Sequence, residues 1–252
     1  MRLHIAAGYN GLYLGVSKLR VEKGAEGPFL AKVEGSLRLV RAGPGSPSDA
    51  HVAAMVDRYA EQIKPIFAEA VGETEVDLVT SKTSETNIGN LMTDAMRSAA
   101  KADIAFQNSG GIRVNLPKGK ITGERVYELL PFDNAIVTMD MSGSAVLQVL
   151  EQGGGGEYGL VQMSGASVVY DFRKKPGERV VKAEVGGKSI EPGRTYRVVT
   201  NDFAATGGDR LLAFQQGKNV VYGDNLRDVF VSYLKKVSPV APKVEGRITV
   251  LR

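Results

Sequence analysis

The stretch DIAFQNSGGIR, Asp103–Arg113, decides how the rest of the chain is read. Its first part is a short apolar run between Asp103 and Gln107, the pattern of a buried strand, and it leads without a break into a turn with paired glycines. Gly110 and Gly111 let the backbone approach a ligand closely, Asn108 carries both a donor and an acceptor, and Arg113 carries a planar fork of donors. An ordinary surface turn with a solvated arginine is the alternative reading of the same residues.

Working outward, the spacing predicts a strand near 75–80 and a helix over about 86–100 ahead of this stretch. After it come a short helix following Thr122, a strand at AIVTMDM and a helix over 144–152. The strands ASVVYDF and RVVKAEV are joined by RKKPGE, whose Pro176-Gly177 is a strong turn signal. A strand at TYRVVT, a helix at NLRDVFVSYLKK and a final strand at GRITVL complete the chain. Periods of 3.6 and 2 residues alternate throughout, which is the mark of an α+β, mixed α/β fold. No internal repeat interrupts that order.

Before about residue 74 the pattern changes. GLYLGVSKLRVE and FLAKVEGSLRLV alternate apolar and polar residues and read as a hairpin about the turn KGAEGP. Two strands alone are marginal in water. The Gly, Pro and Ser-rich segment RAGPGSPSDAHV marks a boundary, with Ser46 the expected N-cap and Pro47 the expected first helical residue. Val52, Met55, Val56, Tyr59 and Ile63 then form one apolar stripe on a helix that Pro65 is expected to end or bend. Three regions follow: 1–45, a pair of strands; 46–73, a linker helix; and 74–252, the main domain.

Composition narrows the chemistry. A net charge of +4, with 32 basic and 28 acidic residues interleaved, is too weak and scattered for a nucleic-acid surface. No apolar run reaches the roughly 18 residues that would cross a bilayer, and MRLHIAAGYNG is too short in its apolar part for a secretory signal. The absence of cysteine removes thiolate nucleophiles, disulfides and Cys-ligated zinc together. Only His4 and His51 exist, and neither stands in a D-x-H, G-N-H or H-x-H cluster, so no metal centre and no Ser-His-acid set is expected. The glycine run GGGGEYG lacks the Lys-Ser/Thr ending of a phosphate-binding loop and reads as a flexible connection.

What remains is binding chemistry carried by three loops. Besides NSGGIR, LLPFDN places Phe132 on a constrained turn directly after Pro131, where a core plug is the alternative. NDFAATGGDR places Phe203 before a Gly207-Gly208 turn and Asp209 after it. Two loop aromatics, an asparagine, an arginine and an aspartate suit a nucleoside, since aromatic faces stack a base and a carboxylate accepts from vicinal sugar hydroxyls.

The ordered set SETNIGNLMTDAMR, NSGGIR, LLPFDN, VVYDFRKKPGERV and NDFAATGGDR resembles the C-terminal domain of the 5'-nucleotidases, the group that includes UDP-sugar hydrolases and 2',3'-cyclic phosphodiesterases. GYNGLYLGVSKL resembles the last strands of the metallophosphoesterase domain that precedes it in that family. The resemblance implies four layers, α/β/β/α, and a base clamped between Phe132 and Phe203. Asn108, Gly110, Gly111 and Arg113 would line the site, with Asp209 on the ribose. It also implies a divalent metal pair, zinc, manganese or similar, and a His-Asp catalytic pair held in the preceding domain, whose motifs this sequence lacks. The expected function is therefore recognition of a nucleoside or nucleotide without turnover by this chain alone. The alternative is an interaction module, or one half of a split enzyme, that docks a metallophosphoesterase chain through the hairpin and the apolar helix stripe. Members are commonly periplasmic, secreted or surface-bound, which leaves the compartment of this chain open. One departure is Ser84, where the family often has an arginine; Lys82 stands two residues earlier.

Overall fold

The computed structural model describes residues 12–25, 27–41, 43 and 48–251, so His4, Ser46 and Pro47 lie outside the described residues. Two compact units divide between Glu61 and Gln62. In the first, β1 (Tyr13–Gly24) and β2 (Gly27–Leu39) pair antiparallel, with Tyr13 opposite Leu39 and Gly24 opposite Gly27. Leu14, Leu19, Val21, Phe29 and Leu37 of this ribbon are exposed.

Helix α1 (Ala50–Ala68) spans the division. Asp49 caps it, its carboxylate accepting from the amides of His51 and Val52 at 2.9 and 3.0 Å. Of the two expectations for Pro65, that it ends the helix or bends it, the first is corrected: the helix runs through Pro65 to Ala68. A proline this close to the C-terminus removes one amide donor from the last turns, and little helix remains beyond it to be disrupted. The stripe Val52, Met55, Val56, Tyr59 and Ile63 is exposed.

The second unit opens with β3 (Ala70–Thr74), paired antiparallel with β5 (Gly119–Thr122). The strand expected near 75–80 is thus displaced toward the N-terminus, and only Leu78 makes an isolated bridge, to Leu116. The Thr74 hydroxyl donates to the Val76 carbonyl at 2.7 Å and accepts from the Val76 amide, a local turn that competes with extended pairing.

Helix α2 (Asn87–Ala100) starts at Thr86, whose hydroxyl accepts from the Gly89 amide at 3.0 Å, a cap worth about 1 kcal/mol. Thr122 and Ser142 cap α3 (Gly123–Leu129) and α4 (Gly143–Gln152) in the same way. The strands β4 (Ile104–Asn108), β6 (Ala135–Ser142), β7 (Val161–Ser164), β11 (Thr195–Asn201) and β12 (Lys218–Asn225) form one sheet in the order β12-β6-β11-β4-β7. A second sheet, β10-β9-β8-β13, is built from β8 (Ala166–Asp171), β9 (Val180–Val185), β10 (Lys188–Ser189) and β13 (Ile248–Leu251). A single turn, α5 (Asp202–Ala205), follows β11, and α6 (Leu226–Val237) follows β12.

Alternation along β4 explains the layers. Ala105 faces a core made with Ile88, Met92 and Met96 of α2 and Phe230 and Leu234 of α6. Ile104 and Phe106 face the opposite core, shared with Val146 and Val149 of α4 and with Val168 and Tyr170 of the small sheet. A strand covered on both faces is apolar at successive positions, which is why this one shows little alternation in the sequence. Helices, large sheet and small sheet are thus stacked in a mixed α/β fold, with α4 packed on both β6 and β9.

Candidate functional site

The three loops singled out in the sequence converge because of strand direction. β4 and β11 are neighbours and run parallel, the one parallel pair in the described large sheet, so their C-terminal ends lie side by side. β6 runs antiparallel to β11, with Ile136 opposite Asn201, which brings its N-terminal end to the same edge. NSGGIR leaves β4, NDFAATGGDR leaves β11 and LLPFDN enters β6 at that edge. Sites at the carboxyl ends of adjacent parallel strands are a recurrent consequence of this geometry.

Buried amides join the loops. Asn201 donates from Nδ2 to Gln107 Oε1 at 3.0 Å and to Asn108 Oδ1 at 2.9 Å, while its own Oδ1 caps α5 by accepting from the Ala204 amide. Asn108 Nδ2 donates to Asp209 Oδ2 at 2.7 Å. Asp209 adopts the left-handed conformation at φ 52°, one that aspartate tolerates better than most residues, and this turns its carboxylate back toward the β4 loop. The sequence motifs placed Asn108 and Asp209 in the site, but not Asn201 as the group between their loops.

At Gly111 an added Cβ would lie 2.4 Å from Gln107 Nε2, so a side chain there would displace that buried amide. A Cβ on Gly208 would lie 2.5 Å from the Phe203 ring, so that glycine gives the ring its place. Phe132 and Phe203 are 48% and 46% exposed, which rules out the core-plug reading of Phe132. Arg113 donates from Nη1 to the Gly110 carbonyl at 3.0 Å and holds its guanidinium 5.9 Å from the centre of the Phe132 ring.

The turn carrying Phe132 is held by a residue that sequence reasoning missed. Arg227, on the first turn of α6 and only 8% exposed, donates to the carbonyls of Leu130 and Phe132 at 2.9 and 2.8 Å and to the Asp133 carboxylate. Its guanidinium lies 4.4 Å from the centre of the Tyr127 ring. In NLRDVF it looks like any helix-surface cation, and nothing in the local pattern marks it as buried.

Asn108, Gly110, Gly111, Arg113, Phe132, Phe203 and Asp209 all line one cavity of about 310 Å³, together with Lys82, Asn134, Glu157 and Tyr158. That volume is near the lower end of small-molecule sites. Ser84 is not among its walls, whereas Lys82 is. A larger, more open hollow of about 700 Å³ lies beside α4. A carboxylate on its wall, Glu151, accepts from the backbone amides of Gly177, Arg179 and Val180, each at 2.8 Å, and so holds a turn. Among the described residues no three His, Cys, Asp or Glu side chains converge as a metal site.

Comparison with known proteins agrees with this architecture. The sequence model of the 5'-nucleotidase, C-terminal domain matches residues 68–216. The trifunctional nucleotide phosphoesterase protein YfkN of Bacillus subtilis is 36% identical over 216 residues, which cover 77% of this chain and 14% of that protein. The snake venom 5'-nucleotidase of Macrovipera lebetinus is 32% identical, with 81% of this chain and 58% of that enzyme covered. The crystal structure of a 5'-nucleotidase precursor from Thermus thermophilus superposes with a TM-score of 0.76 at 35% identity, covering 96% of this chain and 50% of that one. The chain therefore spans only part of the length of these relatives. With the family's sequence model matched over more than half of its residues, on the fold and loops described above, this chain belongs to the 5'-nucleotidase C-terminal domain family.

Proposed function

We propose that this chain recognises a nucleoside or nucleotide for a 5'-nucleotidase-like phosphohydrolase, and that it binds the substrate without hydrolysing it. The observation that carries the reading is the pair of half-exposed rings, Phe132 and Phe203, which separate loops deliver to one cavity. A base stacks between them, the Asp209 carboxylate accepts from the ribose hydroxyls, and Arg113 and Lys82 attract the phosphate. Asn108 keeps Asp209 aimed at the cavity through its 2.7 Å hydrogen bond. The relatives named above are phosphoesterases and nucleotidases, which supports a nucleotide as the ligand class. Phosphoryl chemistry belongs, on this reading, to the metallophosphoesterase domain, because neither histidine of this sequence stands in a D-x-H, G-N-H or H-x-H metal motif.

Two stacking contacts of about 1–3 kcal/mol each and a few hydrogen bonds of about 1 kcal/mol must offset several kcal/mol of association cost. Adenosine is expected to bind with a Kd between about 10 μM and 1 mM. Calorimetric titration of the full chain checks this. Absence of binding to adenosine, cytidine and AMP at millimolar concentration would falsify the assignment.

The exposed apolar residues of β1, β2 and α1 favour a second, compatible role, the docking of a metallophosphoesterase domain or chain. Sedimentation of this chain mixed with such a chain is expected to show a heavier species. Separate boundaries at every concentration count against docking.

A further inference from the structure

We infer that Asp202 sets the base preference of the cavity by fixing the direction of the Asn134 amide, so that bases carrying an exocyclic amine bind better than those carrying a carbonyl in its place. The inference rests on the recognition role proposed above. An ionised carboxylate accepts hydrogen bonds and cannot donate them. The Asn134 group that faces Asp202 is therefore its nitrogen, and Nδ2 donates to Asp202 Oδ1 at 2.5 Å. The same oxygen accepts from the Phe203 amide at 2.8 Å, which keeps the carboxylate from turning away.

Asn134 lines the cavity and Asp202 does not. The amide nitrogen is thus drawn toward a group outside the cavity wall. The carbonyl oxygen, which has no donor among the described residues, is left for a ligand. Asn134 stands two residues after Phe132, Asp202 directly precedes Phe203, and Asn134 shares the wall of one cavity with both rings, which puts this acceptor within reach of a base held there. An acceptor at that edge favours an amine and disfavours a carbonyl, because two facing acceptors lose the water each had bound and gain nothing.

The test is titration of adenosine, inosine, cytidine and uridine into the full chain, as wild type, Asp202→Ala and Asn134→Ala. In the wild type, adenosine is expected to bind about tenfold tighter than inosine, and cytidine about tenfold tighter than uridine, the worth of one well-placed hydrogen bond. Asp202→Ala frees the amide to turn, and both ratios are expected to fall to about twofold or less, as they should in Asn134→Ala, which removes the amide. A variant that merely distorts the cavity weakens all four ligands together and leaves the ratios alone. Equal affinities in the wild type, or ratios that survive both substitutions, overturn the inference and leave recognition intact. Failure of the wild type to bind any of the four defeats the recognition role itself. If Asp202→Ala does not fold, Asp202→Asn takes its place: its amide can donate to the Asn134 oxygen and turn that group round, so both ratios are expected to fall, and unchanged ratios overturn the inference.

Discussion

Phe203→Ala is expected to weaken adenosine binding by about 5- to 150-fold, the factor that corresponds to loss of one stacking contact of about 1–3 kcal/mol. The fold should hardly notice. The ring is 46% exposed and rests against Gly208, so its removal opens no cavity in either core. Thermal unfolding and binding heats measured on the same samples separate the two effects. Phe203→Tyr, which keeps an aromatic face, is expected to retain most of the affinity. Phe132→Ala is expected to do more than remove a second face, because Arg113 lies over that ring and would lose its support as well. Equal heats in wild type and Phe203→Ala would end the clamp assignment.

Seven residues of this cavity were picked out in the sequence as candidates, and their arrangement was not legible there. Asparagine, arginine, two loop phenylalanines and an aspartate pointed to a nucleoside only when taken together. That they meet depends on β4 and β11 lying side by side and parallel, a pairing between segments roughly ninety residues apart that no local pattern encodes. Asn134 closes the quoted LLPFDN, and Glu157 and Tyr158 sit in the glycine run set aside for lacking a phosphate-loop ending. A motif tested against one known use gives no hint of another.

Helices with capping residues were legible for the same physical reason that they form. Thr86 and Thr122 satisfy amides at the starts of α2 and α3 with their own side chains, and the apolar face of α2 repeats at helical spacing. Strands that escaped notice carry a weak signal for different reasons. VQMS of β7 alternates apolar and polar residues over only four positions, and all four are buried, while KNVVYGD of β12 is exposed at every position and does not alternate. The stretch 75–80 alternates well enough to pass for a strand, yet the Thr74 hydroxyl and the Asp77 carboxylate bind backbone locally and across to Lys118, and the ladder shifts upstream to 70–74.

Arg227 is where burial most changes the meaning of a residue. Arg227→Ala is expected to lower the unfolding free energy by about 2–4 kcal/mol, because hydrogen bonds from a charged donor are lost and the carbonyls of Leu130 and Phe132 are left without their partner. Arg227→Lys keeps the charge but not the fork that reaches two carbonyls and a carboxylate at once, so an intermediate loss is expected. Asp133→Ala removes only an exposed partner, and is expected to cost less than about 1 kcal/mol. Urea unfolding ranks the three. Adenosine affinity should follow the same order, since the bond to the Phe132 carbonyl fixes the turn that presents the ring. If Arg227→Ala unfolds like wild type while binding falls, the guanidinium tunes the turn and does not hold the structure. If neither quantity moves, α6 plays no part in shaping the site, and the position of Phe132 must come from Pro131 and the start of β6 alone.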